Sequence, residues 1–253
     1  MSQIITIANQ KGGVGKTTTA VNLAACLAAA EKKVLLIDAD PQANATSGLG
    51  IDRESVSLSL YHFLIQDLEL DQVAKSTMLP KLTVIPASQD LIGAEVELVN
   101  QPGRHNYLAR KLQPLDGEFD YLIIDCPPSL QLMTINALCA ARDLLIPLQC
   151  EYYALEGLSQ LIRTFRLIRQ RYNQNLNIRG ILLTMFDTRN RLSHQVAEEV
   201  HKHFPDRVFK TVIPRNVRLS ESPSHGQPII LYDIRSSGAS AYLALAKEIL
   251  KQG

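Results

Sequence analysis

One short run concentrates the chemistry of this chain. Gln10-Lys11-Gly12-Gly13-Val14-Gly15-Lys16-Thr17-Thr18 follows an apolar stretch, Ile4–Ala8, and opens a helical one. Gly12, Gly13 and Gly15 let the backbone curl so that successive N–H groups face an anion, and the helix N-terminus beyond adds partial positive charge. Lys16 can reach the β- and γ-phosphates of a nucleotide, and the Thr17 hydroxyl can ligate Mg²⁺. Two further segments end an apolar run on carboxylates. Leu35-Leu36-Ile37-Asp38-Ala39-Asp40 offers Asp38 to orient a magnesium shell and Asp40 to hold or polarise an attacking water. Tyr121-Leu122-Ile123-Ile124-Asp125 offers Asp125 to meet the metal directly or through water.

These groups need a scaffold that brings strand ends together. Candidate strands are Ile4–Ala8, Val34–Ala39, Leu82–Pro86, Tyr121–Asp125, Leu144–Leu148, Gly180–Met185 and Val208–Ile213. Most are apolar on successive residues, as strands covered on both faces are. Helical stretches fit between them at Lys16–Ala30, Leu58–Leu64, Leu91–Leu98, Gln131–Ala140, Gly157–Arg171, Ser193–His203 and Ala239–Lys251. Alternation of this kind predicts an α/β fold: a doubly wound, mostly parallel central sheet flanked by helices, with ligands at the C-terminal strand edge. No repeat or linker-like segment interrupts 1–253, so one domain is expected.

The phosphate loop departs from the general G-x-x-x-x-G-K-[ST] pattern. Its first position is Gln10, and an extra lysine, Lys11, precedes the glycines. This form resembles the deviant Walker A class that holds ParA, MinD and the nitrogenase iron protein. The three motifs together resemble the ParA family of partition ATPases, its Soj-like branch most closely. Further matches are DPQANAT at 40–46, EYYALEG at 151–157, TMFDTRN at 184–190 and IPRNVRLSESPSHGQPI at 213–229, so the resemblance runs along essentially the whole chain.

That resemblance implies a Mg²⁺-dependent ATPase, slow and stimulated by a partner. Lys11, Gly12, Gly13, Val14, Gly15, Lys16, Thr17 and Thr18 would cradle ATP, with Lys11, Lys16 and Asp40 the catalytic set and Thr17, Asp38 and Asp125 around the metal. Adenine would sit near Met185, Asp187, Pro214, Arg215 and Asn216. ATP would pair two subunits face to face, with Lys11 of each reaching the other's phosphates and Gly12 letting the loops approach. The dimer would bind double-stranded DNA without sequence preference through Arg189 and Arg218, and a ParB-like centromere-binding protein would reset it. The helix arginines Arg163, Arg166 and Arg169 could add positive surface. The chain would be cytoplasmic and nucleoid-associated, away from membranes. It begins at the first strand, so the helix-turn-helix domain of larger plasmid members is expected to be absent, and operator binding with it. An alternative in the same class, with different cargo, is a ParA-like ATPase that positions a protein complex; from other classes come a MinD-like regulator at a membrane surface and an iron–sulfur carrier, which would need a second interface cysteine.

Composition agrees with these expectations. The 253 residues are 46% hydrophobic and 20% charged, ordinary for a globular chain. The longest charge-free stretches, 17–30 and 126–141, are too short and too polar to span a bilayer. Net charge is +1, yet residues 151–253 balance at +6 and residues 1–150 at −5, a hint of a polyanion partner. No Asn-Lys-x-Asp guanine-reading motif occurs, which favours ATP over GTP. His201 and His203, two apart on a helix, diverge too far for a metal site. Cys26, Cys126, Cys139 and Cys150 form no CxxC pair and read as reduced, buried thiols. The C-terminal helix carries only Lys247 and Lys251 as basic residues, too few for a membrane-targeting face.

Overall fold

The computed structural model describes residues 1–151 and 154–252; Tyr152 and Tyr153 of the EYYALEG segment, and Gly253, lie outside the described residues. Seven strands form one sheet: β1 Gln3–Ile7, β2 Val34–Asp38, β3 Lys75–Ser76, β4 Leu82–Ile85, β5 Tyr121–Asp125, β6 Asp143–Gln149 and β7 Asn177–Thr184. Their order is β3-β4-β2-β5-β1-β6-β7. All pair in parallel except the two-residue edge strand β3, which runs antiparallel to β4. The uninterrupted apolar runs are explained by this arrangement, because β2 and β5 are buried at every position.

Among the described residues the helices are α1 Lys16–Ala29, α2 Asn44–Gly48, α3 Leu60–Ile65, α4 Leu70–Val73, α5 Leu91–Leu98, α6 Tyr107–Leu112, α7 Leu132–Ala140, α8 Ala154–Arg171, α9 Arg191–His203, α10 Val217–Glu221, α11 Ile229–Tyr232 and α12 Ser237–Gln252. Two apolar cores cover the two faces of the sheet. One joins α1 and α12 to Ile5, Ile7, Leu36 and Ile123; the other joins α3, α5, α7 and α8 to Leu35, Ile37, Leu122 and Ile124. Alternate residues of one strand thus feed opposite cores, as strand geometry requires. Helix α1 is almost wholly buried because its Ala-rich face lets sheet and α12 close on it from both sides. Helix α12 buries Tyr242, Leu245, Ala246 and Ile249, and its Tyr242 hydroxyl lies 3.2 Å from the Thr19 hydroxyl. The apolar face of the C-terminal helix is therefore spent on the core, as expected from its composition. No helix among the described residues is long and apolar enough to cross a membrane.

Six of the seven expected strands form. The seventh, Val208–Ile213, does not. Phe209 donates its N–H to Ile181 O (3.0 Å) and Ile213 to Leu183 O (2.9 Å). Four residues on one side therefore span two on the other, and the excess bulges away and prevents a continuous ladder. The Phe209 ring fills the space beside Gly180, where a Cβ would stand 2.6 Å from it.

Candidate functional site

The sheet order brings the chemistry together. Strand β5 lies between β2 and β1, and its last residue Asp125 is in register with Asp38 on one side and Ile7 on the other. The phosphate loop leaves β1 at that point and returns as α1. Gly13 and Gly15 hold φ of +74° and +86°, the left-handed region that glycine adopts without strain. Gly15 caps α1 with no side-chain acceptor, and the first turn of the helix carries no acid. Its leading N–H groups thus remain available to an anion. The loop is pinned from beneath: Thr184 Oγ1 donates to Val14 O (2.8 Å), Lys11 N to Asn9 Oδ1 (3.1 Å), and Asn9 Nδ2 to Pro147 O (2.7 Å).

Lys16 is 6% exposed, and its ammonium donates to Lys11 O across the loop at 3.0 Å. Burial lowers its pKa, and Asp125 offsets part of that shift. Asp40, also 6% exposed, accepts from Gln42 N at 3.0 Å and faces the same cavity as Lys16 and Thr17. That cavity measures about 600 Å³, room for a nucleoside triphosphate. Beneath it lie the two fully buried carboxylates. Asp38 accepts from Asp40 N (3.2 Å), Thr46 N (2.8 Å) and Thr46 Oγ1 (2.7 Å), so it shapes the turn that presents Asp40. Burial pushes its pKa up to about 6, against the pull of those donors.

Asp125 differs: neither carboxylate oxygen has a hydrogen-bond partner among the described residues. Its pKa is raised well above the usual carboxylate range by burial, then by Asp38, with the nearby Thr17 hydroxyl favouring the charge without closing a hydrogen bond. An orphaned, buried carboxylate beside a hydroxyl suits a hard cation, and Mg²⁺ takes few protein ligands when phosphates and water supply the rest. Among the described residues no group of three His, Cys, Asp or Glu is gathered, which fits such a sparse site and no denser one.

Of the expected adenine contacts, Met185, Pro214, Arg215 and Asn216 line a second cavity of about 290 Å³ that shares Gly15, Thr18, Met185 and Pro223 with the first. Asp187 lines neither; both its oxygens are engaged by Arg189, at 3.0 Å each. Lys11 is turned to its own chain and pairs with Glu151, which also accepts from Gln149. Arg189 and Arg218 are both on the surface. Arg218 pairs with Glu221 (2.9 Å) and Asp233 (3.5 Å).

Sequence reasoning missed the far wall of the cavity. Asn44 and Ser47 lie there, both hydrogen-bonded by Arg53 Nη2 at 3.2 and 2.9 Å, with Gln227 beside them. A signal existed in DPQANAT and SPSHGQPI. Gly226 abuts Gly50 so closely that a Cβ on it would lie 2.6 Å from Gly50 Cα, which brings the two segments together.

A family model described as an AAA domain matches residues 2–178. The sporulation initiation inhibitor protein Soj of Bacillus subtilis is 58% identical over 253 residues, covering all of both chains. The chromosome partitioning protein ParA of Myxococcus xanthus is 58% identical over 252 residues, covering all of this chain and 89% of its own. A Mycobacterium smegmatis structure described as cobyrinic acid a,c-diamide synthase with bound ADP and magnesium superposes with a TM-score of 0.88 at 38% identity, covering all of this chain and 95% of its own.

Proposed function

The chain belongs to the ParA/Soj family of chromosome-partitioning ATPases, and from that premise we propose how its own residues perform the cycle. The observation that carries the reading is the stack at the strand edge: a glycine cradle, Lys16 and Thr17 above, Asp40 beside them, and below them Asp125, without a hydrogen-bond partner among the described residues. ATP and Mg²⁺ are the cofactors. The cradle N–H groups and Lys16 hold the β- and γ-phosphates, and Thr17 with Asp125 holds the magnesium, with Asp38 around its shell. Bound there, Mg²⁺ neutralises charge on the phosphate oxygens. Asp40 orients the attacking water, held in place by the turn that Asp38 ties. Met185, Pro214, Arg215 and Asn216 enclose the base.

The finer reading concerns assembly. Lys11 leaves Glu151 and reaches the phosphates of a second subunit, so that ATP joins two chains face to face through the Gly12 loops. The dimer binds double-stranded DNA without reading sequence, through Arg189 and Arg218, and a ParB-like partner stimulates hydrolysis and releases it. The chain then acts in the cytoplasm on the nucleoid. DNA binding measured side by side with ATP, ADP and no nucleotide tests this cycle. Binding is expected with ATP, lost on Arg189→Glu or Arg218→Glu with ATP affinity kept. Equal DNA affinity with ATP and ADP through those arginines would defeat the switch.

A further inference from the structure

Helix α5 is apolar on two sides. Leu91, Ala94 and Leu98 are buried in the core beneath it. Its outer side carries Ile92, Val96 and Val99, which are 59%, 71% and 46% exposed. The spacing i, i+4, i+7 sets them in one stripe, and Val99 keeps helical dihedrals just past the last turn. The stripe is about 10 Å long. Among the described residues no other helix exposes three large apolar side chains. Single exposed apolar residues are ordinary, but a contiguous row marks a contact surface.

The segment around the stripe is acidic. Between Leu82 and Gly103 the sequence holds three carboxylates, Asp90, Glu95 and Glu97, and no Lys, Arg or His. Glu97 accepts from the Tyr61 hydroxyl of α3 (2.9 Å) and Asp90 from Ser88 Oγ (3.0 Å), neutral donors that leave the charge in place. Arg104 closes the C-terminal end, where its Nη1 donates to Val99 O at 2.5 Å. Glu95 turns to α7: its Oε1 accepts from Met133 N in the first turn of that helix (3.3 Å). The loop that joins β5 to this turn starts at Asp125 and carries Pro128, which lines the nucleotide cavity. Thr134 Oγ1 ties the same turn to Ser129 O at 2.7 Å. A chain of contacts therefore runs from α5 through α7 to the wall of the nucleotide cavity.

We propose that the outer side of α5 is where the stimulating partner docks. It takes a short amphipathic helix of the ParB-like protein, apolar toward Ile92, Val96 and Val99 and bearing Lys or Arg at its margins. The inference rests on the partner reading above and gives that partner a surface. Charge decides among the occupants. A second copy of α5 would set Glu95 and Glu97 against their equals, and an anionic lipid surface would meet the same repulsion, whereas a basic margin is complementary. Docking then acts at a distance. A partner cation drawn to Glu95 competes with the Met133 N–H, and the loop that carries Pro128 is freed to settle on the nucleotide. Glu95 does not line the nucleotide cavity and is a positioning residue in this scheme.

The test follows phosphate release by the full chain with Mg-ATP and duplex DNA while the full-length ParB-like protein of the same genome is titrated in. I92S/V96S/V99S should need at least about 10-fold more partner for half-maximal stimulation, as loss of a central apolar anchor does. Its melting temperature, ATP affinity and unstimulated turnover should match wild type, since all three side chains are exposed. I92L/V96L/V99L keeps the stripe and should follow wild type. E95Q keeps an acceptor for Met133 N without the charge. It should shift the half-maximal concentration by about 5-fold or less yet lose most of the maximal stimulation, a split that a merely structural role does not produce. A serine variant stimulated at the wild-type partner concentration overturns the docking surface and leaves the partner reading standing. Full stimulation of E95Q overturns the coupling through α7. If wild type is not stimulated at all, the partner reading and this surface fall together. Weaker self-association of the serine variant in light scattering, or weaker pelleting with phosphatidylserine vesicles, with stimulation unchanged, would give the stripe to a second copy or to a membrane and overturn the proposal as well.

Discussion

Replacing Asp125 by asparagine should move stability and function in opposite directions. The carboxylate is fully buried, its two oxygens have no hydrogen-bond partner among the described residues, and Asp38, also fully buried, stands in register beside it. Neutral asparagine keeps the shape and removes the charge. A buried polar group without a partner costs about 1–3 kcal/mol, and a charged one more, so the nucleotide-free variant should gain about 3 kcal/mol at pH 8. The neighbouring carboxylate gives a comparable scale: Asp38, pushed from 3.8 to about 6, carries roughly 3 kcal/mol of ionisation cost at that pH. For a chain of this size that gain corresponds to a rise in Tm of about 6–12 °C.

The sign with pH follows from the raised pKa. Between its unfolded and folded values Asp125 binds more protons folded than unfolded, so wild-type stability falls as pH rises through that window. The advantage of the variant should therefore be largest at pH 8 and shrink on acidification. Calorimetry in EDTA from pH 5.5 to 8.5 reads both effects, and a second series with Mg-ATP reads the ligand-induced rise in Tm, which should be large in wild type and nearly absent in the variant. A variant less stable than wild type at pH 8 in EDTA, or a gap that ignores pH, would refute the assignment of Asp125 as a charge held at a cost for a metal.

Three further outcomes are expected. Lys16→Ala should abolish ATP binding by calorimetric titration, since its buried ammonium lies against the loop, 3.0 Å from Lys11 O; retained affinity would reassign it. Asp40→Ala should bind ATP yet turn over about 100-fold more slowly, as loss of a water-positioning group does, and an unchanged kcat would move that role to another residue. Gly12→Val should bind ATP and stay monomeric in size-exclusion chromatography. Within one chain a Cβ there meets nothing nearer than Pro128 Cβ at 4.0 Å, so any block must come from a second subunit.

Much of this was legible in the sequence because the motifs sit at strand ends, and strand ends are fixed by continuous apolar runs. ITI, VLLID and YLIID put Lys16, Asp38 and Asp125 in one place once the sheet is parallel. What the sequence hid depended on partners distant along the chain. Nothing near Lys11 announces Glu151, 140 residues on, and nothing near Arg53 announces its place over Asn44 and Ser47. The expected strand at Val208–Ile213 failed for the same reason: its apolar residues do meet β7, but with two residues in excess. Asp187, expected near the adenine, is engaged by Arg189 two residues away, a competition that a motif match does not weigh.

The partners of the recruiting cations bear on how such a chain could switch. The three cations that the proposed ATP-driven cycle assigns to a second subunit or to DNA are each held by a carboxylate of their own chain: Lys11 by Glu151, Arg189 by Asp187, Arg218 by Glu221 and Asp233. Groups that serve the bound nucleotide alone, Lys16 and Asp40, are buried and fixed instead. The side chain of Arg189 is 88% exposed, and exposed ion pairs contribute only about 0–1 kcal/mol, so exchanging a carboxylate for a phosphate costs little. Until that exchange the carboxylates cancel the charge that would draw these surfaces to DNA or to a second nucleotide. In the proposed dimer several weak exchanges would fall on one surface, and their salt slopes would add. A chain of net charge +1 can in this way stay free of DNA through its gated arginines as a monomer and hold it as a dimer.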